Sequence, residues 1–174
     1  MGIQQFYKSI DERKLSMAKE REILSPEDWE RTLKNCQKAI DEGNKDAIMI
    51  MASMLFCGRE WKDQNIEAAF PYFKMGADLG DPMGAQMTAD YYFNQLKDEV
   101  NARKYYAIAA KGDSKKYQYV YALFCLEGIG GHADYDQAIE YLEKVVIENY
   151  NDSTYQLWRA YALKSKTCKM NMIH

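Results

Sequence analysis

Proline and glycine are scarce: three and ten in 174 residues. A many-stranded β fold needs more turn-forming residues than that, so long helices are expected. Histidine is scarcer still, with only His132 and His174, far apart in the chain. No H-E-x-x-H or similar spacing sets two metal ligands on one helix face. No serine stands in a G-x-S-x-G elbow. No metal, cofactor or catalytic constellation is therefore expected, and the chain reads as a non-enzyme. Cations do not dominate: 23 Lys and Arg face 26 Asp and Glu, for a net charge of -3 and a pI of about 5.5. That removes the basic footprint of a nucleic-acid binder. No run of about 18 apolar residues occurs, so no membrane-spanning helix is expected.

The four cysteines, Cys36, Cys57, Cys125 and Cys168, form no C-x-x-C pair. Free thiols in a reducing cytosol suit that pattern better than a disulfide framework. The opening stretch "MGIQQFYKSIDERKLSMAKERE" becomes charged too soon for a signal peptide. Phe6 stands where a myristoylation signal wants Ser or Thr, and "CKMNMIH" is no prenylation box. A cytoplasmic location is the expectation.

What the chain does have is apolar and aromatic mass. Hydrophobic residues are 47% and aromatics 13%, which excludes a disordered chain and supplies a core. Fourteen tyrosines bring apolar bodies with polar tips, suited to helices that pack near water.

Helix signals recur along this chain. "QKAIDEGNKDA", "KMGADLGDPMG", "AIAAKGDSKK" and "EKVVIENYND" stop at Gly43, Gly80, Gly112 and Asn149, spaced 37, 32 and 37 residues apart. Gly and Asn accept the left-handed conformation at a helix end, so each is read as a second-helix stop. The helices that follow each carry a small residue at a matching place: Ala52, Ala89, Ala122 and Ala160. A small side chain there lets paired helices approach, and Leu55, Tyr92, Cys125 and Leu163 fill the groove three positions on. Ser25-Pro26 and Asp81-Pro82 are cap-then-proline starts, with Asp28 three residues after Ser25. Pro71 falls inside "IEAAFPYFKMGA", where a kink or late start is expected.

The period implies helix-loop-helix repeats that stack. The expected organisation is one domain over 1–174. It comprises an N-terminal helix over 3–23 with Phe6, Tyr7, Ile10 and Met17 on one face, and a half repeat over 26–43. Repeats follow over 44–80, 81–112 and 113–149, and a capping helix over 152–167.

This pattern resembles the Sel-one-like repeat family, a relative of the tetratricopeptide repeats. The family unit runs through an alanine, Leu-Gly, Tyr, Gly-x-Gly, an aspartate, an alanine, an aromatic and a Lys-Ala-Ala-x-x-Gly ending. Ala122, Gly128, Gly130, Asp134, Tyr135, Ala138, Tyr141 and Lys144 match it in the third repeat. Ala47, Gly58, Ala68, Tyr72, Ala77 and Gly80 match in the first, and Lys38, Ala39 and Gly43 in the half repeat. The second repeat lacks Gly-x-Gly, and "FNQLKDEVNARKYY" joins its helices by a shorter loop. The fold that the resemblance implies is an all-α, right-handed α/α solenoid.

Seen in that frame, "GIGG" before His132 is a turn between paired helices, with Asp134 at the next helix start. A dinucleotide fingerprint would need a strand before it and a parallel sheet around it. His132 is then an exposed loop residue. By the same resemblance the first helices line the concave surface. Met49, Ser53, Phe56, Gln86, Asp90, Phe93, Tyr119, Leu123, Leu157 and Tyr161 are its candidates for partner contact, with aromatic anchors among them. This set holds no cation, which favours an uncharged or basic partner surface over an acidic tail. The expected function is a protein-binding solenoid, an adaptor or inhibitor that is a monomer in isolation. An immunity protein that neutralises a basic bacterial toxin domain is its sharper form, because opposite charge speeds encounter. The alternative is a structural or assembly subunit that self-associates through its end repeats.

Overall fold

The computed structural model describes residues 25–58, 65–148 and 150–171; among them are eight helices and no strand. The expected helix over 3–23 and the stop at Asn149 lie outside the described residues. The chain divides into two compact units, 1–72 and 73–174.

The first unit holds α1 (Pro26–Asp41), α2 (Lys45–Cys57) and the start of α3 (Ile66–Asp78), inside which the division falls. Ser25 Oγ accepts from the Asp28 N–H at 3.1 Å and Pro26 opens the first turn, so α1 begins as its sequence requires. Gly43, at φ +87, ends it. The Asn44 side chain then caps α2, accepting from the Asp46 N–H at 3.0 Å. α1 packs on α2, and Trp29, Cys36, Ile48, Met51 and Ala52 are buried. The Tyr72 hydroxyl donates to Gln37 Oε1 at 3.0 Å and ties α3 to α1. Pro71 sits inside α3 without ending it. Asn65 Oδ1 caps that helix on the Ala68 N–H at 2.8 Å, and Pro71 removes only the bond its N–H would have given the Glu67 carbonyl.

The second unit continues with α4 (Pro82–Asn94), α5 (Glu99–Ala109), α6 (Lys115–Glu127), α7 (Tyr135–Val146) and α8 (Ser153–Asn171). α4 packs on α5, α5 on α6, α6 on α7 and α7 on α8, the nearest-neighbour order of a helical repeat. Ala89, Ala122 and Ala160 are fully buried, as Ala52 is in the first unit. One core cluster includes Ala77, Ala89, Tyr105, Tyr106, Tyr117 and Phe124. The other includes Tyr119, Ala122, Tyr141, Leu142, Val145 and Ala160. α6 contributes to both clusters and is the wall they share.

Gly112 differs from the left-handed stop expected of it, because its φ is not positive. A Cβ there would stand 2.9 Å from Pro82 Cβ. Glycine is required at this turn by the close approach of the start of α4, not by backbone handedness. All four cysteines are free. No helix among the described residues is long and apolar enough to cross a membrane.

Candidate functional site

The glycine loop closes on itself. Gly128 ends α6 in the left-handed conformation at φ +70, and Gly130 follows at φ +69. The N–H groups of Gly128 and Ile129 donate to the Phe124 carbonyl, and that of Asp134 to the Cys125 carbonyl. Asp134 Oδ1 then caps α7 on the Gln137 N–H at 3.0 Å. From α5, Arg103 Nη1 donates to the carbonyl oxygens of His132 at 2.8 Å and Ile129 at 3.5 Å. A Cβ on Gly130 would overlap the Glu99 carbonyl oxygen. The loop is thus pressed on the first turn of α5, with carbonyls turned to a guanidinium. A phosphate cradle needs the reverse, N–H groups converging on an anion. His132 is exposed. Among the described residues no group of His, Cys, Asp and Glu could hold a metal ion.

The candidates on the first helices fall into distinct settings. Met49, Ser53 and Phe56 are half-buried on α2 in the first unit. In the second unit Gln86 is half-buried on α4. Asp90 on the same helix accepts from the Tyr106 hydroxyl at 2.7 Å and the Tyr117 hydroxyl at 3.0 Å. Burial pushes its carboxyl above the ordinary range, and the two hydroxyls and Lys116 only partly oppose that. Lys116 Nζ stands 4.7 Å from the Tyr117 ring centroid. Phe93 meets Phe124 edge-on with centroids 5.3 Å apart.

Further along, Tyr119 is only 9% exposed, donates to Asp152, and meets Tyr150 edge-on at 5.6 Å. Leu123 and Leu157 pack, partly buried, on the second core. Tyr161 is 49% exposed and donates to Glu143 on α7 at 2.6 Å. Asp90 and Phe93 therefore join α4 to α6, and Tyr119 joins α6 to the start of α8. Tyr106, Tyr117 and Arg103, which complete these contacts, were not among the sequence candidates. A helical period marks a face but not which side chain stands across from it.

No family model and no curated protein matches the sequence. Solved structures do. A Sel1 repeat protein from Oxalobacter formigenes is similar at a TM-score of 0.57 and 23% identity, over 74% of this chain and 98% of that one. The chain has the Sel1-repeat fold. A protective antigen present in uropathogenic Escherichia coli strains, displaying an SLR fold, is similar at a TM-score of 0.57 and 24% identity. That match covers 76% of this chain and 29% of the antigen. In the second unit α4 packs on α5 and α6 on α7 as helix pairs. The α6–α7 pair turns on glycines. The α4–α5 pair turns on a shorter connector in which Lys97 takes the positive φ, at +53.

Proposed function

We propose that this chain is a non-catalytic, protein-binding Sel1-repeat scaffold that acts as an adaptor or inhibitor in the cytoplasm. One observation carries the reading. The charged candidate on the first helices of the second unit, Asp90, is engaged by Tyr106 and Tyr117. Neutral candidates remain there for a partner surface: Gln86 and Tyr161, with the partly buried Leu123 and Leu157. Such a surface takes a folded protein through apolar and amide contacts. The sharper form is an immunity protein for a basic toxin domain, supported by the net charge of -3, which would speed encounter with a cation-rich partner.

The test is a tagged pull-down from the source cell with the native chain and with Gln86→Arg and Tyr161→Ala. A single stoichiometric partner, kept by the native chain and lost by variants of unchanged thermal stability, is expected. Retention of that partner by both variants would place binding elsewhere. Recovery of growth when the chain is co-expressed with the captured partner would identify that partner as a toxin.

A further inference from the structure

The C-terminal helix α8 has two opposite faces. On the inner one Ala160 and Ser153 are fully buried, and Leu157 and Leu163 pack on the second core. On the outer one Tyr155, Trp158, Ala162 and Ser165 are all exposed. Their spacing puts them in one stripe along the helix. Tyr155 is 57% and Trp158 66% exposed, and their rings stack on each other with centroids 6.1 Å apart. Tyr161 does not belong to this stripe, since its hydroxyl is held by Glu143 on α7.

The stripe is large in its first half and small in its second. That makes it complementary to itself in one orientation. Two α8 helices laid antiparallel about the level of Ala160 set Trp158 of one copy over Ala162 of the other, and Tyr155 over Ser165. The ends agree in charge: the exposed Asp152 of one copy comes beside the turn that carries the exposed Lys166 of the other. Parallel pairing would stack Trp158 on Trp158 and leave the small halves apart. We infer that the outer face of α8 is a homodimer interface, on which a second copy of this chain docks its own α8 antiparallel. The contact is one helix face, on a helix of 19 residues. That is less than the about 800 Å² per partner of stable interfaces, so the dimer is weak and concentration-dependent. The chain is then a monomer when dilute.

Sedimentation equilibrium of the full chain over a wide concentration range tests this. The apparent mass is expected to climb from 20.3 kDa toward twice that value. Trp158→Glu and Ala162→Arg should each weaken association at least about tenfold, which is about 1.4 kcal/mol. Both positions are exposed, so circular dichroism and thermal unfolding should not change. In a Cys57→Ser, Cys168→Ser background, mild oxidation should give a covalent dimer when Tyr155→Cys and Ser165→Cys chains are mixed, and none with either alone. A chain that stays monomeric at every concentration overturns the proposal. So does a dimer untouched by both variants, or self-cross-linking of Tyr155→Cys. Loss of the pull-down partner on Trp158→Glu, with the native chain monomeric, would give this face to that other protein instead.

Discussion

Gly43, Gly112 and Gly130 are glycines for three different physical reasons, and substitution should separate them. Gly43 has φ +87 and open space where a Cβ would go. Gly43→Ala therefore meets only the left-handed penalty, about 1–2 kcal/mol. Gly112→Ala keeps an ordinary backbone but drives a methyl into the Pro82 ring, a loss of about 1–2 kcal/mol by overpacking. Gly130→Ala meets both effects at once, with φ +69 and the Glu99 carbonyl in the way, so about 3 kcal/mol or more is expected. Urea unfolding midpoints should rank Gly130→Ala far below the other two, and equal losses would contradict the packing of the loop on α5. Asp90 carries a pH prediction at the same scale. Its carboxyl is raised in the folded state, so the folded chain holds the proton more tightly than the unfolded one. Its contribution is greatest below the ordinary aspartate pKa and declines as pH rises through the raised folded value. Asp78 and Asp152 are lowered, chiefly by their hydrogen bonds from Lys74 and Tyr119, and run the opposite way. The difference between the native chain and Asp90→Asn isolates the contribution of Asp90. Thermal scans at successive pH values should show Asp90→Asn gaining on the native chain as pH rises toward neutrality; parallel curves would refute the assignment.

The elements were legible where one residue's chemistry fixes its own segment. Ser25, Asp81 and Asp134 each cap the helix that follows, and Ala52, Ala89, Ala122 and Ala160 are buried at matching places. A cap or a small-residue contact needs only local spacing, and spacing is what a sequence displays. What could not be read was the far side of each contact. Asp90 looked like a groove anion because nothing local points to Tyr106 and Tyr117. Arg103 stands in "FNQLKDEVNARKYY", where nothing local shows that it holds the loop that follows α6. Gly112 looked like Gly43 because a sequence shows a glycine, not its φ or its neighbour. The Arg103 contact gives an element-scale test. Arg103→Met takes the guanidinium away from Gly131 and gives up the donors to His132 and Ile129, a loss of about 1–3 kcal/mol for hydrogen bonds from a charged group. Amide exchange should quicken across the α6–α7 loop while the helical signal of α7 persists. Unchanged exchange there would mean that the glycine turn holds without the guanidinium.

Stability at the scale of the whole chain should be distributed as in a linear repeat, where each helix pair rests on its neighbours. The second core cluster draws on α6, α7 and α8 together, with Leu142 fully buried at its centre on α7. Leu142→Ala removes three heavy atoms from that cluster and leaves a cavity, at a cost of about 2–5 kcal/mol. Because α6 also walls the first cluster through Tyr117 and Phe124, the loss should reach α4 and α5 in reduced measure. The residues of α1 and α2 belong to the other compact unit. Hydrogen exchange followed by mass spectrometry should therefore show a gradient: fastest opening over α6–α8, intermediate over α4–α5, and native protection over α1–α2. A uniform fall in protection from α1 to α8 would mean that both units open as one cooperative block. The repeat would then be a single folding domain with no weak end, and an end-face contact such as that of α8 would stabilise the entire chain and not only its last helices.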